Sequence, residues 1–161
     1  MTNKCLAEQH IFAVSSRAAL WILFLLAIVP MASRSAEVVS PIGLWKTIDD
    51  ATGTPGALVR IYEKDGKLFG RIEKLFKVEA ESRGCTACND DRRNQPLIGL
   101  TIIRNIGREG DIYGGGDILD PDSGSVYRCK MHLEQGGNRL IVRGYIGFSF
   151  IGRSQTWQRQ I

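Results

Sequence analysis

The chain has 161 residues, 43% of them hydrophobic and 24% charged, with a formal net charge of +4. Its length fits one domain and leaves no room for a multidomain assembly. The modest charge, with no basic block interleaved with aromatics, excludes a nucleic-acid binder of the usual electrostatic kind.

The first part of the chain is expected to lie outside that domain. Lys4 and Arg17 precede an unbroken apolar run, Ala18 to Pro30, and the small residues Ala32, Ser33, Ser35 and Ala36 follow it. This order of charge, apolar run and small residues predicts a secretory signal peptide over residues 1–35. The run is shorter than the roughly 20 apolar residues of a membrane span, so the product carries no stable span after cleavage. A single domain over 36–161 remains. Lys4, Arg17 and Arg34 leave with Glu8, which brings the net charge to about +2. Export, to the periplasm or beyond, places Cys85, Cys88 and Cys129 in an oxidising compartment. An odd number means that at least one is free or paired between molecules.

The remainder reads as strands. GLWKTI (43–48) opens the series. In 57–76 two alternating runs flank Asp65-Gly66, the pair that a two-residue type I′ hairpin turn prefers because both central residues need positive φ. PLIGLTIIRNI (96–106) suits a strand buried on both faces. DIYGGGDIL (111–119) is strand-like but glycine-laden, as at a bend or bulge. SVYRCKMHLE (125–134) sets Tyr127, Cys129, Met131 and Leu133 against Val126, Arg128, Lys130 and His132. Segments 139–148 and 154–160 complete the set, with turn signals at 120–124, 134–138 and 150–153. Segment 77–95 is polar and reads as loop or helix. About eight short antiparallel strands without a convincing amphipathic helix predict an all-β fold. Closed as an up-and-down barrel, they leave no exposed edge. Such a barrel is either filled by its own side chains or holds one small ligand.

Closure makes the first and last strands neighbours. Trp45 stands in the first. Trp157 and Arg159, two apart, share a face of the last. An Arg can stack on an indole and also hydrogen-bond to carbonyls at the barrel end. The pattern is similar to the G-x-W and terminal-strand Arg of lipocalins and other calycins, and this implies a structural closing role for Trp45, Trp157 and Arg159. More of the chain resembles the exported bacterial family called domain of unknown function 2147. The shared stretches are GLWKT (43–47), LVRIYEKDGKLFGRI (58–72), the C-x-x-C at 85–88 and PLIGLTII (96–103). They continue with YGGGDILDPDSGSVYRCKMHL (113–133), LIVRGYIG (140–147) and GRSQTWQR (152–159). This resemblance implies a lipocalin-like barrel in the bacterial envelope and no particular activity.

Cys85-x-x-Cys88 has three readings. A local disulfide ranks first, thiol chemistry second and a zinc site third. Asn89, Asp90 and Asp91 disfavour a nearby thiolate, and no βαβ pattern surrounds the motif. Cys129 and His132 would have to complete a zinc site, but an odd separation puts them on opposite faces of a strand. Cys129 is expected in the core, though a bridge from it to the loop stays open. Gly114-Gly115-Gly116 lacks the Lys-Ser/Thr of a phosphate loop. Asp120 to Gly124 lacks the bidentate Glu of a calcium loop and suits an Asp-capped turn. His132 has no nucleophile partner. No catalytic residue, metal ligand or cofactor is therefore assigned.

Tyr62, Tyr127, Arg143 and Tyr145 are the candidate ligand-binding residues. If their faces point inward, they place polar donors in an apolar cup suited to an amphipathic acid. Arg60 and Arg71 are expected to face water, whereas Arg143 is flanked on its face by Ile141 and Tyr145. The expected function is non-enzymatic binding of a small, lipid-like or amphipathic molecule. The alternatives are a filled barrel that meets a protein partner and a thiol-dependent enzyme.

Overall fold

The computed structural model describes residues 39–49, 52–77 and 82–161. The predicted signal peptide falls outside the described residues.

Eight strands form one closed antiparallel barrel in simple chain order. They are β1 (Gly43–Ile48), β2 (Pro55–Lys64), β3 (Lys67–Leu75), β4 (Thr101–Glu109), β5 (Ile112–Asp120), β6 (Ser125–Glu134), β7 (Arg139–Tyr145) and β8 (Gly152–Gln160). Each pairs with its neighbours in sequence, and β1 closes the ring by pairing with β8. Side-chain alternation decides the facing. Ala57, Val59 and Ile61 of β2 are buried while Arg60 is exposed. Cys129 and Met131 of β6, and Leu140 and Val142 of β7, join them in a continuous core.

Local chemistry explains the turns. Asp65 (φ 51°) and Gly66 (φ 71°) are both left-handed, as a two-residue hairpin with Lys64 opposite Lys67 requires. The triple glycine of β5 accompanies a register shift between Tyr113 and Gly116. Gly115 has φ 78°, and a Cβ on Gly116 would lie 2.0 Å from the Arg104 carbonyl oxygen.

Two elements differ from the sequence reading. β4 begins at Thr101 and not at Pro96. Gly99 (φ 90°) and the bond from Leu100 N to Leu97 O turn the chain there, and Leu97 and Leu100 are buried without extended pairing. β7 ends at Tyr145 and not at Phe148. Gly147 (φ 65°) and the bond from Ile146 N to Ile151 O make 146–151 a closed turn. Where it is described, the segment expected to be loop or helix consists of turns, tied by an isolated bridge between Gly84 and Pro96.

The topology gives the barrel two different ends. The start of β1, the end of β8 and the short turns after β2, β4 and β6 gather at one, the base. The 49–54 turn, the long β3–β4 connection and the 120–124 and 146–151 turns gather at the other, the mouth.

Candidate functional site

The base is shut by side chains. Trp45 and Arg159 are direct partners in the β1–β8 ladder, and the guanidinium carbon lies 4.3 Å from the Trp45 ring centroid. Arg159 donates to the carbonyls of Gly137 (2.6 Å), Ser40 (2.7 Å) and Ile42 (3.0 Å), so it ties β1, β8 and the β6–β7 turn together. A Cβ at Gly43 would come within 2.8 Å of Arg159 Nη1, which is a physical reason for glycine there. Trp45 Nε1 donates to Pro41 O at 2.8 Å. Burial pulls the pKa of Arg159 below its ordinary value, and three acceptors still hold the cation in place.

Above this floor is a cavity of about 600 Å³. Val59, Ile72, Ile102, Ile118, Val142 and Trp157 give it an apolar wall. Among the polar side chains that reach it from inward-facing positions are Thr47 of β1, Tyr127 of β6 and Gln155 of β8. Gln155 Oε1 accepts from Trp157 Nε1 at 3.1 Å, which leaves its amide NH₂ to donate elsewhere. Gly144, opposite Arg153 in the β7–β8 ladder, opens space between Ile118 and Tyr127, because a Cβ there would meet both at 3.4 Å. Lys77, Arg83 and Arg153 stand with Asp49, Asp120 and Asp122 where the cavity meets the mouth.

The predicted ligand residues separate. Tyr127 lies in the cavity wall. Tyr145 touches it at the mouth, but its ring belongs to the outer face, where Lys130 Nζ stands 5.8 Å from the centroid. Tyr62 and Arg143 are corrected. Tyr62 alternates with the buried Ile61, points outward and stacks on Phe69 at 5.9 Å. Arg143 lies between the buried Val142 and the inward Gly144, so it too points outward. It donates to Ser149 O (2.6 Å), Phe150 O (3.2 Å) and Ser154 Oγ (2.9 Å). Arg60 pairs with Glu73 on the outer surface. Gln155 and Arg153 went unassigned in the sequence. Stepping back by twos from Trp157 would have placed both on its inward face.

Cys85 and Cys88 form a disulfide, and both are fully buried. Their loop packs on the β5–β6 turn so closely that a Cβ at Gly124 would meet Ala87 O at 1.9 Å. Arg83 and Asp122 pair across the same contact at 3.1 Å. Cys129 is a free thiol in the core. Burial, aided by the Asp117 charge, pushes its pKa up to about 12. His132 points outward and meets Glu134 at 3.3 Å. Among the described residues no cluster of His, Cys, Asp and Glu is arranged to hold a metal ion.

A cationic clamp that the sequence did not suggest fastens the disulfide loop to the outer wall. Arg92, only 2% exposed, engages Asp90 through its backbone N–H (2.9 Å) and guanidinium and Thr101 O at 3.4 Å. Arg104 of β4 holds Asp91 with two bonds of 2.8 and 2.9 Å. The Arg92 hydrogen bond, opposed by burial, holds Asp90 down at about 2. Asp117 runs the other way, because burial raises it. Among the described residues its Oδ1 accepts no hydrogen bond, and the Arg92 guanidinium stands 3.9 Å away. None of these groups lines the cavity, so their work is to hold the wall of the mouth.

The family model described as "Uncharacterized protein conserved in bacteria (DUF2147)" matches residues 43–159, from the first residue of β1 almost to the end of β8. The chain belongs to this family. No curated protein matches this DUF2147 chain in sequence. Among solved structures it is similar to protein HP1028 from the human pathogen Helicobacter pylori, which is described as belonging to the lipocalin family. The TM-score is 0.66 at 17% identity, over 76% of this chain and 84% of that one. At that identity the likeness concerns the fold, and the fold is a lipocalin-like barrel. Among the described residues no helix is long and apolar enough to cross a membrane.

Proposed function

We propose that this DUF2147 protein is an exported, non-enzymatic carrier that holds one small, largely apolar molecule with a single polar end in its barrel. The observation that carries the reading is the cavity of about 600 Å³, a size in the range of small-molecule sites with apolar walls and few polar groups. The apolar part lies against Val59, Ile72, Ile118, Val142 and Trp157. The polar end meets Tyr127, Gln155 and, nearer the mouth, Arg153, in place of the Arg143 and Tyr62 favoured by sequence. Location in the bacterial envelope is supported by the bacterial family and by a disulfide, a bond that persists in oxidising compartments. A barrel filled by its own side chains accords poorly with the cavity. A thiol enzyme accords poorly with a buried, oxidised pair.

Native mass spectrometry of the protein purified gently from its own host tests this. A reproducible extra mass, released on denaturation and identified as an amphipathic small molecule, is the expected result. An apo mass, together with no change in tryptophan emission when apolar acids are titrated in, would overturn carriage. Trp157 lines the cavity at 1% exposure, so an entering ligand must alter its surroundings.

A further inference from the structure

We propose that the 146–151 turn and the basic strip beside it dock the mouth of the cup onto an anionic lipid bilayer. The inference goes beyond carriage and does not need a ligand in the cup.

The turn joining β7 to β8 is the most apolar exposed feature among the described residues. Ile146, Phe148, Phe150 and Ile151 are 65%, 69%, 76% and 58% exposed. A flexible loop would be expected to fold such side chains inward, and the cavity lies directly beneath. This turn is held instead. Its backbone closes on itself through Ile146 N to Ile151 O and Ile151 N to Phe148 O. Arg143 braces it from outside by binding the carbonyls of Ser149 and Phe150. The Phe148 and Phe150 rings stack nearly parallel, 5.6 Å apart. The carbonyls of Phe148, Ser149, Phe150 and Ile151 are therefore satisfied internally, and the apolar side chains are presented outward. Exposed apolar clusters of this kind mark interaction sites.

The neighbouring charge identifies the partner. On the outer face of β6 and β7, Lys130 stands opposite Arg143 in the ladder, and Arg128 stands opposite Tyr145, where the turn begins. Neither Arg128 nor Lys130 enters an ion pair among the described residues. Asp117, opposite Arg128 on β5, has Arg92 as its nearest cation. Aromatic side chains beside unneutralised cations suit the boundary of an anionic bilayer, where apolar groups enter and basic groups meet headgroups. A hairpin tip of four apolar side chains offers roughly a few hundred Å², well short of the ~800 Å² per partner of a standard protein interface. Ile146 and Ile151 also line the cavity, so the apolar surface runs without a break from the turn into the cup.

The test sediments the soluble form obtained from the complete coding sequence with vesicles. One set is phosphatidylethanolamine with phosphatidylglycerol, the other phosphatidylcholine alone. The protein should bind the anionic vesicles, and less well as salt rises. Arg128→Gln with Lys130→Gln should weaken that binding about tenfold or more. Phe148→Ser with Phe150→Ser should abolish it, and both changes lie at exposed positions that the fold does not need. Phe148→Trp should shift its emission to the blue on anionic vesicles. Three results would each overturn the proposal: no sedimentation with either vesicle, undiminished binding of the Phe148 and Phe150 variant, or a lipid-free dimer that this variant abolishes. The last would assign the turn to a second copy of the chain. Native mass spectrometry reads carriage separately.

Discussion

Arg159 lies over Trp45 at 4.3 Å, each being the other's partner across the β1–β8 ladder. Stacking accounts for only part of what the pair does. The guanidinium also satisfies three carbonyls from two other stretches of chain, Ser40 and Ile42 before β1 and Gly137 in the β6–β7 turn. Replacing it with Ala would leave those acceptors and the indole face without a partner at the point where the barrel closes. The expected loss is about 3 kcal/mol of stability, from charged hydrogen bonds and the cation–π contact together. Lys in its place should recover only part, because an ammonium cannot span three acceptors and stack at once. Urea midpoints of Arg159→Ala and Arg159→Lys check this, and equal midpoints for Lys and Arg would refute it.

Two glycines with different constraints should behave differently. Gly116 approaches Arg104 so closely that a Cβ would meet its carbonyl oxygen at 2.0 Å, and the obstacle is backbone. Gly116→Ala is expected to cost about 3 kcal/mol or more. Gly66 has φ 71° with nothing within 4 Å of a Cβ. Gly66→Ala should cost only the left-handed strain, about 1 kcal/mol. Thermal unfolding of the two variants side by side would expose an error in this ordering.

Acid should loosen the wall of the mouth over a definite range. Asp90 sits at about 2 in the folded chain, chiefly through its hydrogen bond from Arg92. In the unfolded chain it returns to an ordinary value near ~4. Between those values the unfolded state binds more protons. The contribution is therefore complete above the unfolded value and is lost as pH falls toward 2. Asp91, lowered by its Arg104 hydrogen bond, acts in the same sense. Asp117, raised by burial, takes its proton earlier and adds a small gain on acidification before the decline. Stability curves of the wild type and Asp90→Asn should converge as pH drops through this range, and parallel curves would sink the assignment.

Cys129 should be silent to thiol reagents in the native protein. Its pKa is pushed up to about 12 by burial and the Asp117 charge, and the side chain is inaccessible. At pH 8 a disulfide-exchange reagent should find no reaction at Cys129 until denaturant is added. Peptide mapping would then find Cys129 labelled, with Cys85 and Cys88 still joined. Rapid native labelling of Cys129 would mean that the core opens far more readily than its packing implies.

The eightfold strand series, the Asp65-Gly66 hairpin and the inward face of β6 are legible in the sequence because period-two alternation and left-handed turn residues are local properties. The closing partnership of Trp45 with Arg159 follows once a barrel is assumed, since closure makes the chain ends neighbours. Alternation alone cannot say which face of a strand is inside when both carry apolar groups. β7 has Leu140 and Val142 on one face and Ile141 and Tyr145 on the other. Arg143 was therefore compatible with the cup until packing placed it outside, as the brace of a turn. The clamp of Arg92 and Arg104 on Asp90 and Asp91 depends on the β3–β4 connection folding back on the barrel wall. Its register comes from contacts across the fold and not from any pattern along the chain. The cavity itself is the space left by all eight strands after Gly144, Gln155 and Trp157 take their positions, and such a volume exists only when the ring has closed.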